Sequence, residues 1–210
     1  MKKTIFLLSM LCMICCSPWA QSAKYPMAMK ASLEKLESAK TPEDLLAVSA
    51  TFERIAEAEK SEWLPYYYAA LSQARLGFVD PSLDKDKVGE KVKDLTQKAA
   101  AIENNGELCA LRNMAATLQL LVDPKGRWAT YGKQAGEALE AGFKLDPQNP
   151  RLYYLKGMAL FNQPAFIGGG KDKAKPYFEK ALAFFATQST DPLYPKWGLK
   201  ETELYLEKCK

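Results

Sequence analysis

Residues 163–174 read QPAFIGGGKDKA, one of two places in the chain where binding chemistry could sit. Three consecutive glycines ahead of a helix start leave backbone N–H groups able to converge on an anion. Lys171 and Lys173 stand beside them with positive charge. Phe166, Gly168, Gly169, Gly170 and Lys171 therefore make one candidate loop. It is not a nucleotide phosphate loop, because no GKS or GKT closes it and no strand leads in. The other reading of the same residues is an elongated hairpin turn in which glycine supplies a positive φ.

Other chemistry is scarce. The 210 residues include no histidine. This removes Ser-His and Cys-His nucleophiles and the commonest zinc ligand. Glu34, Glu37, Glu53, Glu57 and Glu59 lie on stretches with lysine or arginine nearby, as solvated helix-stabilising pairs do. No carboxylate pair stands in an apolar setting suited to acid–base work, and no metal-ligand cluster emerges. The chain is accordingly expected to be non-catalytic, with no cofactor and no metal. Its 29 basic and 25 acidic residues give a net charge of +4. They are mixed throughout without a basic stripe, so nucleic acid is not an expected partner.

The N-terminus has the pattern of an export signal. Lys2 and Lys3 precede an apolar stretch, Thr4 to Cys16, that is too short to span a bilayer. Ala20-Gln21-Ser22 then fits a small-x-small cleavage site, although a cut after Ala20 fits nearly as well. Residues 1–22 are expected to be a cleavable leader and 23–210 a single domain in a bacterial periplasm or cell envelope. Cys12, Cys15 and Cys16 each lack the preceding small residue that a lipidated cysteine wants. No later apolar run has membrane-spanning length, so no transmembrane span is expected in the mature chain. Only Cys109 and Cys209 remain after cleavage. They are a hundred residues apart on separate hairpins, and two free thiols are expected.

The elements that must position any site are helices. Met29, Leu33 and Leu36 lie at steps of four and three. Thr41-Pro42 is a helix start, with Asp44 three residues after the cap. Further helices are expected over 62–77, 86–103, 107–122, 128–145, 151–162, 171–186 and 196–208. Glycine, proline and asparagine cluster at the joints, and no segment alternates apolar and polar residues as a half-buried strand does. The fold expected is all-α.

A spacing recurs on these helices. Ala174, Phe178 and Ala181 sit at steps of four and three, and so do Ala135, Leu139 and Gly142. Small residues flanking a large one make a face that another helix can lie against. Ile55, Ala99, Gly142 and Ala181 mark equivalent points 44, 43 and 39 residues apart. This pattern resembles the tetratricopeptide repeat, whose unit is 34 residues long. Tyr153 and Gly157 match its first helix, Tyr66 and Ala70 do so in the earlier repeat, and Pro147 matches its terminal proline. Thr96, Met114 and Lys156 depart from it. The spacing puts the extra residues in the turn inside each hairpin, a joint where solenoids often carry functional loops.

The resemblance implies a right-handed α-solenoid of about four hairpins, capped by the helix from Lys196 with Trp197, Leu199 and Leu204 over the exposed end. It also implies a concave groove lined by first helices. There Tyr67, Leu71, Arg75, Leu111, Ala115, Tyr154, Met158, Phe161 and Asn162 would meet a partner. The implied function is a scaffold that takes a protein or peptide in that groove. A small-ligand binder or transporter accessory on the same repeats is the alternative. Against the groove stands a simpler possibility, that longer hairpins twist differently and bury these same residues.

Overall fold

The computed structural model describes residues 24–210, and the leader expected over 1–22 lies outside them. The described residues form helices and turns with no strand, so the all-α class read from the sequence is the class adopted. The first half comprises α1 (Lys24–Ser38), α2 (Pro42–Ala58), α3 (Trp63–Val79), α4 (Lys85–Ile102) and α5 (Gly106–Leu120). The second comprises the short α6 (Pro124–Arg127), α7 (Lys133–Leu145), α8 (Pro150–Asn162), α9 (Lys171–Phe185) and α10 (Leu199–Lys208).

Polar side chains set the helix starts. The Thr41 hydroxyl accepts from the Asp44 N–H at 3.1 Å, and the Asp44 carboxylate accepts in return from the N–H groups of Thr41 and Lys40. Asp84, Asn105 and Asn149 likewise cap α4, α5 and α8. Each satisfies backbone donors that the first helical turn leaves without a partner.

Packing follows chain order. Helix α2 lies on α3, α3 on α4, α4 on α5, α5 on α7, α8 on α9 and α9 on α10. Helix α5 also touches α3 and α8. The small–large–small faces explain the close approach: Ala174, Phe178 and Ala181 are fully buried. A Cβ on Gly157 would fall 2.6 Å from the Phe178 ring, and one on Gly142 would fall 2.6 Å from the Leu152 side chain.

Two segments differ from expectation. The helix expected to begin at Trp128 is regular only from Lys133, because Asp123 and Pro124 start a separate turn, α6, and Trp128–Gly132 is π-helical. The last helix starts at Leu199, after Gly198 turns the chain at φ +102°. It packs on α9 as the expected cap does, but not through all the residues expected to cover the end, Trp197, Leu199 and Leu204. Trp197 turns inward, Leu204 is 53% exposed, and Tyr205 supplies the contact to Phe178 and Phe161.

Candidate functional site

The starts of α3, α5 and α8 converge on one polar cluster. Glu107 opens α5 and accepts three hydrogen bonds: from Tyr67 Oη at 3.0 Å, Asn149 Nδ2 at 2.7 Å and Arg151 Nη1 at 3.0 Å. Burial pushes the Glu107 carboxyl up from its ordinary value, while Arg151, Asn149 and Tyr67 pull it back. The Tyr67 hydroxyl in turn accepts from Trp197 Nε1 at 2.6 Å, and burial holds its own phenol well above the usual range. Arg151 reaches further, donating to Gln188 Oε1 and to the Pro195 carbonyl, while its guanidinium lies 5.7 Å from the Trp197 ring. Tyr68 donates to the Leu193 carbonyl at 2.8 Å. The chain between α9 and α10 thus lies across α3 and α8, tied down by side chains from both.

These bonds decide the fate of the expected groove. Tyr67, Leu71, Leu111, Ala115 and Tyr154 are buried, and Tyr154 packs edge-on to Trp197 with ring centroids 6.2 Å apart. Arg75 is half-buried, and that burial lowers its pKa. Phe161 is turned onto Tyr205, Met158 is half-buried, and Asn162 is exposed with its amide on the Met158 carbonyl. At Tyr67 and Tyr154 that face is covered by Trp197 of the 188–197 segment, while Leu71, Leu111 and Ala115 lie in the core between the helices. The clue was present in Leu193, Tyr194 and Trp197, three large apolar residues in a stretch read as loop and cap.

The glycine loop is built as the turn reading requires. Gly168 and Gly170 take φ of +90° and +100°. The N–H of Gly168 donates to Ala165, that of Gly169 to Pro164 and that of Gly170 to Leu160. With all three engaged by carbonyls, these glycines form no anion cradle. Phe166 projects from the loop 89% exposed, and Lys171 is exposed beside it.

A different opening lies on the other side of α5. Helices α4 and α7 both pack on α5, leaving a cleft of about 350 Å³ between them. Ala116 and Ala138 give it a low floor, and Lys93 and Arg112 bring positive charge to its wall. Tyr131 stands alongside, its ring centre 5.5 Å from both Lys93 Nζ and the Arg127 guanidinium. A second cleft of about 280 Å³, involving Leu83, Leu121 and Val122, opens at the turn end of the same helices. The two are linked by Arg127, which grips Asp86 with two bonds of 2.5 and 3.0 Å. The sequence reading named Ala115, whose side chain faces the core, and missed Ala116 one position on, which faces the cleft. No helix among the described residues is long and apolar enough to cross a membrane.

No family model matches the chain, so the resemblance to tetratricopeptide repeats gains no support there, and no curated protein matches it. Among solved structures, the HusA haemophore from Porphyromonas gingivalis superposes with a TM-score of 0.82 and is 35% identical in sequence. The match covers 90% of this chain and 94% of that one. It overturns the expectation of a protein or peptide partner, since this relative is by its name a haem carrier, and it favours the small-ligand alternative. The burial of Tyr67, Leu71, Leu111, Ala115 and Tyr154 also takes these residues out of reach of a peptide. With that identity over nearly its full length, the chain belongs to the family of the HusA haemophore.

Proposed function

We propose that this protein is an exported bacterial carrier of haem or a closely similar porphyrin, and that it binds this cargo without transforming it. The observation that carries the reading is the 35% identity to a haemophore across 90% of the chain. The surface chemistry suits such a cargo. Haem is a flat apolar ring with two carboxylates, and the described surface carries exposed apolar side chains, Phe166 and Trp128 among them, as well as many lysines and arginines. The leader pattern at Lys2, Lys3 and Ala20–Ser22 supports export. We also read the helical pairs as a tetratricopeptide-like solenoid, supported by the buried Ala174–Phe178–Ala181 face and the contact of α5 with both α3 and α8.

The chain's own residues limit how the cargo is held. Histidine is absent, and the Cys109 and Cys209 thiols are buried, with burial the main cause raising the pKa of each. Haem iron is ordinarily held by histidine, thiolate, methionine or tyrosinate. Neither of the first two is presented, which leaves methionine and tyrosine as the iron ligands this chain can offer, and we read recognition as resting mainly on the faces of the ring and on its carboxylates. The test is a spectroscopic titration of residues 23–210 with haem and with iron-free protoporphyrin. Saturable binding of both is expected, and failure of both to saturate would remove the reading.

A further inference from the structure

We propose that the turn between α8 and α9 is a membrane-docking tip. Phe166 and Ile167 enter the interface of an anionic lipid bilayer, and Lys171, Lys173 and Lys175 rest on its headgroups. The proposal goes beyond the carrier reading and does not depend on the cargo. Phe166 is 89% exposed and Ile167 53% exposed, neighbours on a turn whose residues 164–168 are all exposed. Two large apolar side chains held in water are a cost that burial in a lipid interface removes. The turn presents them firmly. Ala165–Ile167 is one turn of 3-10 helix, the three glycine N–H groups are bonded to carbonyls, and Gln163 Nε2 donates to the Ile167 carbonyl at 2.6 Å.

Charge complementarity names the occupant. Lys171, Lys173 and Lys175 open α9 directly after the tip, and all three are exposed. Among the described residues none of them pairs with a carboxylate, whereas Lys91, Lys98 and Lys133 are met by Glu53, Asp94 and Glu137. One carboxylate, Asp172, stands in the first turn of α9 and opposes an anionic surface. Lysines beside an apolar insertion are the combination that anionic bilayers hold, each charge and each buried apolar group adding to the attraction. Shape favours lipid over a protein partner. The tip is a wedge, which a protein must match with a cut pocket and a fluid interface simply admits. Another exposed apolar pair, Leu121 and Val122, shares its cleft with Asp84, Lys85 and Asp86 and has no excess of positive charge there.

The experiment is co-sedimentation of ligand-free residues 23–210 with vesicles of phosphatidylcholine, alone or mixed with phosphatidylglycerol. The wild type is expected to sediment with the mixed vesicles, less so at raised salt, and to stay in solution with phosphatidylcholine alone. Phe166→Ser/Ile167→Ser and Lys171→Gln/Lys173→Gln/Lys175→Gln are each expected to lose about tenfold or more in affinity. Asp172→Asn is expected to bind a few-fold tighter, and Leu121→Ser/Val122→Ser to bind as the wild type does. In Phe166→Trp the added indole emission is expected to shift to the blue on the mixed vesicles, which reports insertion rather than adsorption. The substituted residues lie at the surface, and circular dichroism checks each fold. A wild type that ignores both vesicles overturns the proposal, as does a Phe166→Ser/Ile167→Ser variant that sediments as fully as the wild type. A wild type that ignores vesicles but forms a dimer undone by that variant also overturns it, and gives the tip to a second copy. The haem titration is a separate measurement, so either reading can fail alone.

Discussion

Arg151 and Glu107 meet at 3.0 Å in the interior, with 0% and 1% of their side chains exposed. The pair joins the start of α8 to the start of α5, and through Trp197 and the Pro195 carbonyl it holds down the chain between α9 and α10. A buried ion pair gains little over an apolar pair of the same shape, but breaking one half leaves a charge without a partner. Glu107→Gln or Arg151→Met should each therefore cost about 3–5 kcal/mol. Urea unfolding of each variant at neutral pH measures this, and a loss below about 1 kcal/mol would contradict the role given to the pair.

Trp197 should behave as a core residue although it sits outside a helix. Replacing it with alanine removes the bond to Tyr67 and the contacts with Tyr154 and Arg151. The expected loss is about 3–5 kcal/mol, together with faster amide exchange or proteolysis across 188–198. An unprotected 188–198 segment in the wild type would contradict the account.

Three glycines give a contrast within one experiment. A methyl added at Gly157 would meet the Phe178 ring, and one at Gly142 would meet Leu152 and Cys109. Each alanine variant should lose about 1–3 kcal/mol by overpacking. Gly136 has nothing within 4 Å of where its Cβ would lie, so Gly136→Ala in α7 should stabilise by up to about 1 kcal/mol. Thermal melts of the three proteins read the order directly.

That contrast also marks how much of the molecule was legible from its residues. Periodicity placed the helices because the apolar faces repeat every three to four positions, the small–large–small face marked Gly142 as a contact point, and the repeat resemblance marked Gly157. The starts at Thr41, Asn105 and Asn149 carry their own caps, so boundaries there needed no tertiary information. The start of α3 was misread because the residues that cover it come from more than a hundred positions away. Tyr68 meets Leu193 across 125 residues and Tyr67 meets Trp197 across 130. No local pattern encodes such a meeting. The cleft over α5 was invisible for a related reason: Lys93, Arg112 and Ala138 lie on three helices and share a wall only once these are packed.

Acid should weaken the start of α2. The N–H groups of Lys40 and Thr41 hold the Asp44 carboxyl below its ordinary value of 3.8. A carboxylate with a lowered folded pKa contributes stability that is complete above its unfolded pKa and is lost as pH falls through the folded one. The difference in Tm between wild type and Asp44→Ala should thus be constant from neutral pH to about 5 and should shrink below about 4. A difference that grows on acidification would contradict the assignment.

Cys109 and Cys209 are both free and buried in the fold. Thiol labelling of residues 23–210 with a disulfide reagent should be slow in buffer and reach two groups per chain in urea without added reductant. Failure to label in urea until a reductant is added would mean that the two are paired.

The claim on which the function rests is that the folded protein retains a porphyrin. Native mass spectrometry tests it most directly, on residues 23–210 mixed with haem in slight excess and then desalted. The account predicts one haem per folded chain, with the free chain as the minor species. A spectrum showing only free protein, under conditions where a known haem carrier keeps its ligand, would contradict it.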